Sequence, residues 1–242
     1  MKVDVRFTIP ELDNGELAGA TVVVVDVVRA TTTLVTALAA GAGPVFPAAS
    51  AEEAIRLLQS LGREDTLLCG ERKGLRPEGY DLGNSPREFT EAVVRGKRLI
   101  MNTTNGTRAF RAAEDAERVV AAALVNLGAV AEAIADAERA VVLCAGRHDR
   151  FALEDAACAG ALLLRLQELD VELEAGDAAR AAIALASAKT IDEEFLGSTQ
   201  AGQALKRLEL EEDLAWCART DEVPVVPVFR DRTVTLLESM DG

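Results

Sequence analysis

Four consecutive valines, Val22 to Val25, stand between Thr21 and Asp26. β-Branched side chains are stiff at χ1 and suit a pleated strand, and a run without polar alternation has no face to offer to water. The run predicts a strand buried on both faces, which requires helices on each side of a mostly parallel sheet, a three-layer α/β/α arrangement. Asp26 ends the run, Arg29 follows, and Thr31, Thr32 and Thr33 open a helical pattern through Leu34, Val35, Leu38 and Ala39. Hydroxyls there suit a first helical turn, whose unpaired N–H groups want acceptors and attract anions. Ligands of open α/β sheets bind beyond the carboxyl ends of the strands, so Asp26 and Arg29 are expected at that crevice. A carboxylate for a metal and a guanidinium for an anion suit a phosphorylated acid. A turn-capping Asp and a surface Arg would account for the same residues without a ligand.

Strand–turn–helix units continue along the chain. Strands are expected over Val3–Ile9, Val45–Ala48, Thr66–Cys69, Arg98–Met101, Arg118–Val125 and Ala140–Cys144, with a closing pair over Val223–Val228 and Thr233–Leu237. Ser50 is placed to cap a helix bearing Ala54, Leu57, Leu58 and Leu61, and Ser85-Pro86 to open another after the long Lys73–Pro86 loop. Further helices are expected from Arg108, over Leu127–Ala137 behind an Asn126 cap, over Phe151–Leu169, and through most of Ala178–Thr220 with breaks at Gly197 and Gly202. No linker or repeat interrupts this rhythm, so residues 1–242 read as a single catalytic domain, with a division into two α/β lobes near residue 115 as the alternative.

Four of these strands end on polar residues: Asp26 with Arg29; Glu71 with Arg72; Asn102 with the Thr103–Thr107 turn; and Gly146 leading to Glu154 and Asp155. The fold would collect such ends on one edge of the sheet. Asp26, Glu71, Glu154 and Asp155 are hard oxygen donors suited to Mg2+, which keeps several waters, so only a subset would be direct ligands. Glu154 and Asp155 also have a plain reading as acids in a first helical turn. In Thr103-Thr-Asn-Gly-Thr107 the hydroxyls, the backbone N–H groups and a glycine free to adopt φ > 0 suit an oxyanion, against a plain Asn-Gly turn.

Composition limits the partners. A formal net charge of −14 repels nucleic acid and anionic membranes, so an anionic guest must be held by a local cluster of Arg and N–H donors. Four scattered cysteines and one histidine, His148, make a zinc site a poor fit, and the expected setting is cytoplasmic with reduced thiols. No apolar run approaches membrane-spanning length, and a homodimer is the default expectation for a chain of this size. Neither a P-loop nor a G-x-G-x-x-G fingerprint is present. Cys144 and Arg150 stand at the Cys-x5-Arg spacing of cysteine phosphatases, but the Ala-Gly-Arg-His-Asp interior is a poor phosphate cradle, which favours a buried strand-end thiol. His148 reads equally as a loop residue or a proton donor.

Six segments together resemble the 2-phosphosulfolactate phosphatase family, the phosphatases of coenzyme M biosynthesis. They are VVDVVRATTTLVTALAAGA from Val24 to Ala42, CGERKGLRPEGYDLGNSP from Cys69 to Pro86, NTTNGTRA from Asn102 to Ala109, CAG at Cys144, FALEDAACAGAL from Phe151 to Leu162, and EEDLAWCA from Glu211 to Ala218. The Arg147-His148-Asp149 stretch departs from the small polar residues expected there. The resemblance implies an α/β fold of its own and a Mg2+-dependent phosphomonoester hydrolase converting 2-phospho-3-sulfolactate into 3-sulfolactate and phosphate. With the strand-end clusters, it implies Asp26, Arg29 and Glu71 as catalytic residues and Mg2+ on a subset of the four carboxylates. It likewise implies Thr31, Thr32, Arg72, Asn102, Thr104, Asn105, Gly106 and Thr107 as the cradle for a phosphorylated sulfo-acid. The alternatives are a phosphatase for another small phosphorylated 2-hydroxy acid and an anion-binding domain without chemistry.

Overall fold

The computed structural model describes residues 1–237. In chain order it contains β1 (Lys2–Arg6), β2 (Thr21–Val25), α1 (Ala30–Ala39), β3 (Val45–Pro47), α2 (Ala51–Leu61), β4 (Thr66–Gly70), α3 (Glu91–Val94), β5 (Arg98–Asn102) and α4 (Gly106–Ala112). There follow β6 (Arg118–Ala122), α5 (Leu127–Ile134), β7 (Arg139–Cys144), α6 (Leu153–Glu168), β8 (Glu174–Ala175), α7 (Asp177–Ala188), α8 (Glu193–Ser198), α9 (Gln200–Arg207), α10 (Glu212–Cys217), β9 (Pro227–Arg230) and β10 (Thr233–Leu236).

The ten strands form one sheet in the order β4-β5-β3-β10-β9-β6-β2-β7-β1-β8. Strands β6, β2, β7, β1 and β8 pair in parallel, and so do β4, β5 and β3. Between these two blocks lies the closing hairpin, whose β9 and β10 run antiparallel to β6 and β3.

The valine run behaves as its chemistry demands. Val23 and Val25 enter one core with Leu127 and Val130 of α5 and Leu162 and Leu163 of α6. Val22 and Val24 enter the other with Leu34 and Leu38 of α1 and Phe110 of α4. Helices on both faces of a mostly parallel sheet make the three layers. Each of these valines is fully buried, worth about 1.5–3 kcal/mol apiece, so a charge at Val23 would break the central strand.

Several local expectations are corrected. Gly197 and Gly202 lie inside α8 and α9, because a side chain at Gly202 would collide with the Leu196 carbonyl; the chain turns instead around Lys189–Asp192, Thr199 and Leu208–Glu211. Ser85 caps no helix: only the short turn Pro86–Glu88 follows it, and its hydroxyl is used elsewhere. Asn126 does not cap α5 but ties its Nδ2 to the Ala121 and Val225 carbonyls. Ser50 does cap α2, accepting from the Glu53 N–H at 3.2 Å. Among the described residues no helix is long and apolar enough to cross a membrane.

Candidate active site

Asp26 follows β2 and opens the short turn that leads into α1. The Thr31 hydroxyl donates to the Asp26 carbonyl at 2.8 Å and accepts from the Asp26 N–H at 3.0 Å, while the Thr32 hydroxyl donates to the Val27 carbonyl at 2.8 Å. Both hydroxyls are thus spent on locking the strand-to-helix turn, and neither lines the cavity beside it. Asp26 Oδ1 accepts from the Ala30 N–H at 3.1 Å. Gly106, at the start of α4, packs so closely here that a Cβ would stand 2.6 Å from the Ala30 Cβ, which only glycine avoids. Burial pushes the Asp26 carboxyl up to about 7; the N–H groups of Ala30 and Gly106 oppose the shift, and the charges of Glu71 and Glu154 add to it.

Glu71 follows β4. Its Oε1 accepts from the Thr104 N–H at 2.7 Å and its Oε2 from the Gly74 N–H at 2.8 Å, so it joins the loops after β4 and β5. Arg29 donates from Nη1 to Asp213 Oδ2 at 2.6 Å and from Nη2 to the Gly74 carbonyl at 2.7 Å. Asp213, in α10, takes the Ser85 hydroxyl on its other oxygen at 2.6 Å. Asp213 and Ser85 were not singled out as site residues from the sequence. Their only signal lay in the family-like segments that contain them, because no local spacing joins residues so far apart to Arg29.

Glu154 and Asp155 open α6 and are buried. Asp155 Oδ1 accepts from the Val27 N–H at 2.9 Å and Oδ2 from the Gly146 N–H at 3.1 Å, which straps the turn after β2 to the turn after β7. Burial, with the charges of Asp26 and Glu154, pushes Asp155 well above the usual carboxylate range. Burial also raises Glu154, held back in part by Thr199 and Arg147. Neither carboxylate lines the cavity.

The cavity has a volume of about 170 Å³. Strand ends supply Asp26, Arg29, Glu71, Thr104 and Asn105; Lys73, Arg147 and His148 stand on its rim, and α9 closes it with Ala201, Ala204 and Leu205. The other cradle candidates face elsewhere. Asn102 donates from Nδ2 to the Ala48 carbonyl at 2.7 Å and accepts from the Tyr80 hydroxyl at 3.1 Å. The Thr107 hydroxyl donates to the Thr103 carbonyl at 2.9 Å, and Arg72 is exposed and does not line the cavity. Cys144 is buried, and burial with the Asp155 charge pushes its thiol well up, the opposite of an activated nucleophile. His148 is exposed, its N–H donating to Asn105 Oδ1 at 3.3 Å. A larger cavity, about 1170 Å³, lies at the opposite edge among Thr21, Arg118 and Arg139, where none of the site residues reaches.

Among the described residues no three His, Cys, Asp or Glu side chains form a group that could enclose a metal ion. Asp26 and Glu71 do face the one cavity together. Mg2+ is commonly held by one or two carboxylates, with waters and substrate phosphate completing its shell. Asp26 and Glu71 are the two of the four carboxylates that share this cavity, each Glu71 oxygen also accepting a backbone N–H bond.

The chain matches one family of known proteins along nearly its whole length. The family model described as 2-phosphosulpholactate phosphatase matches residues 7–232. A protein of Symbiobacterium thermophilum named "Probable 2-phosphosulfolactate phosphatase" is 44% identical over 92% of this chain and 97% of its own length. Proteins of the same name from Clostridium perfringens and Thermotoga maritima are each 37% identical, over 99% and 90% of this chain and 98% and 92% of their own.

Proposed function

The chain belongs to the 2-phosphosulpholactate phosphatase family, and from that premise we propose that its cavity hydrolyses 2-phospho-3-sulfolactate to 3-sulfolactate and inorganic phosphate. The observation that carries this reading is the meeting of Asp26 and Arg29, from the turn after β2, with Glu71, from the turn after β4, in one small cavity at the carboxyl ends of the strands.

The reaction is a phosphomonoester hydrolysis. Water gives its oxygen to phosphorus, the ester P–O bond breaks, and the leaving alkoxide takes a proton to become the 2-hydroxyl. Arg29 faces the cavity with the N–H groups that Asp213 and the Gly74 carbonyl leave over, a planar donor set suited to a phosphoryl group. Thr104 and Asn105 add polar groups to the lining, and the apolar side chains of α9 limit water. Asp26 and Glu71 would hold Mg2+, whose chemistry when bound is to neutralise charge on the phosphoryl oxygens. The four cysteines are free and buried, which supports a reducing, cytoplasmic setting.

Phosphate release from a panel of phosphorylated 2-hydroxy acids, measured with Mg2+ and with EDTA, tests the reading. Mg2+-dependent release with preference for the sulfonated acid is expected. Preference for an unsulfonated acid, or release from none, would overturn it.

A further inference from the structure

Two tight turns flank the cavity, and each carries a cation to its rim. Across the first, the backbones of Arg72 and Leu75 exchange N–H···O bonds of 2.9 and 3.2 Å, with Lys73 and Gly74 at φ of 55° and 85°. Across the second, Arg147 and Arg150 exchange bonds of 2.8 and 3.1 Å, with His148 and Asp149 at φ of 51° and 59°. Two central residues at positive φ make each a two-residue turn of the I′ kind, a stiff connection. Of the basic side chains on these turns, Lys73, Arg147 and His148 line the cavity, whereas Arg72 and Arg150 do not.

Both turns are fixed to residues that face the reacting group. Gly74 donates its N–H to Glu71 and gives its carbonyl to Arg29, and it packs against Leu208 behind it. The second turn is held by the Asn105 side chain on the His148 N–H and by an Arg108–Asp149 ion pair at 3.0 Å. The backbones that carry the cations are therefore tied to Glu71, Arg29 and Asn105, which line the same cavity.

The charge balance says what they are for. Arg29 is already matched by Asp213, while Asp26 and Glu71 add negative charge to the cavity. Among the described residues no ion pair involves Lys73 or Arg147. In a chain of net charge −14 two such cations on one rim are a local exception. We propose that Lys73 and Arg147 are specificity residues that receive the sulfonate, the permanently charged group of the substrate that does not react. This rests on the substrate reading above and adds which residues of this chain distinguish the sulfonated acid, Arg147 standing where the family-like pattern carries a small polar residue. A sulfonate presents acceptor oxygens and no donor, and a weakly hydrated guanidinium fork suits it.

The test compares kcat/KM for 2-phospho-3-sulfolactate and for 2-phospholactate, which keeps the phosphate and carboxylate and lacks the sulfonate. Charge-assisted hydrogen bonds of this kind make R147Q lower the preference for the sulfonated acid by about 10- to 100-fold, mainly through KM. R147K restores part of it, and K73M lowers it less. Calorimetry should show weaker binding of 3-sulfolactate to R147Q in a variant that still unfolds in one cooperative transition, with some loss of melting temperature because Arg147 also faces the charge of Glu154. An unchanged preference, with both substrates losing equally or neither losing, would overturn the assignment alone. Absence of phosphate release from the sulfonated acid by the unaltered protein would overturn both this assignment and the substrate reading.

Discussion

Arg29 and Asp213, 184 residues apart in sequence, form an ion pair of 2.6 Å with side-chain exposures of only 4% and 1%. The pair ties the turn after β2 to α10, and Ser85 fixes the other carboxylate oxygen. A guanidinium held this way has little freedom left, and what it presents to the cavity is set by Asp213.

Neutralising Asp213 should therefore cost both stability and turnover. Breaking a buried pair by removing one charge typically costs about 3–5 kcal/mol, because the other is left uncompensated. D213N, which keeps an acceptor for Ser85, should unfold at a clearly lower urea concentration and lose kcat more than KM. Native stability with native kcat would show that Arg29 needs no partner.

Asp26 should make stability fall as pH rises. Its carboxyl titrates at about 7 in the folded chain against an ordinary 3.8, so the folded state holds the proton more tightly across that window. Stability from this group is full below the unfolded value and is lost as pH climbs through the folded one. In EDTA, D26N should therefore resist urea better than the unaltered chain at pH 8, and the gap should narrow toward pH 5. A gap that is constant with pH would contradict a buried, charge-crowded Asp26.

Cys144 should be dispensable for chemistry. Its thiol is buried at the end of β7 and pushed up by burial and by Asp155. C144A should keep phosphate release within a few-fold while losing some thermal stability from the small cavity it opens. Loss of turnover in a folded variant would revive a covalent thiol mechanism.

The sheet was legible where one residue type decided the matter. The valine run dictated burial on both faces, and Asp26, Glu71 and Asn102 did end or follow strands as their positions suggested. Side-chain direction was not legible. Thr31 and Thr32 can serve an anion or their own backbone, and only the turn geometry sends their hydroxyls to the Asp26 and Val27 carbonyls. Asn102 likewise turns to Ala48 and Tyr80, and Asp155 to two backbone N–H groups. Long-range pairings were also hidden. The hairpin of β9 and β10 closes the chain yet lies in the middle of the sheet, and Asp213 reaches Arg29 across most of the sequence. Gly197 and Gly202 looked like helix breaks because close packing, of Gly197 on the Lys206 side chain and of Gly202 on the Leu196 carbonyl, leaves no mark in local sequence.

Phosphate release from 2-phospho-3-sulfolactate by D26N, with Mg2+ at saturating concentration, tests most directly whether the strand-end cavity is the seat of hydrolysis. A fall in kcat/KM of about a hundredfold or more in a variant that stays folded is expected, the scale on which a group acting on the reacting phosphoryl is missed. Turnover close to that of the unaltered chain would place the chemistry elsewhere.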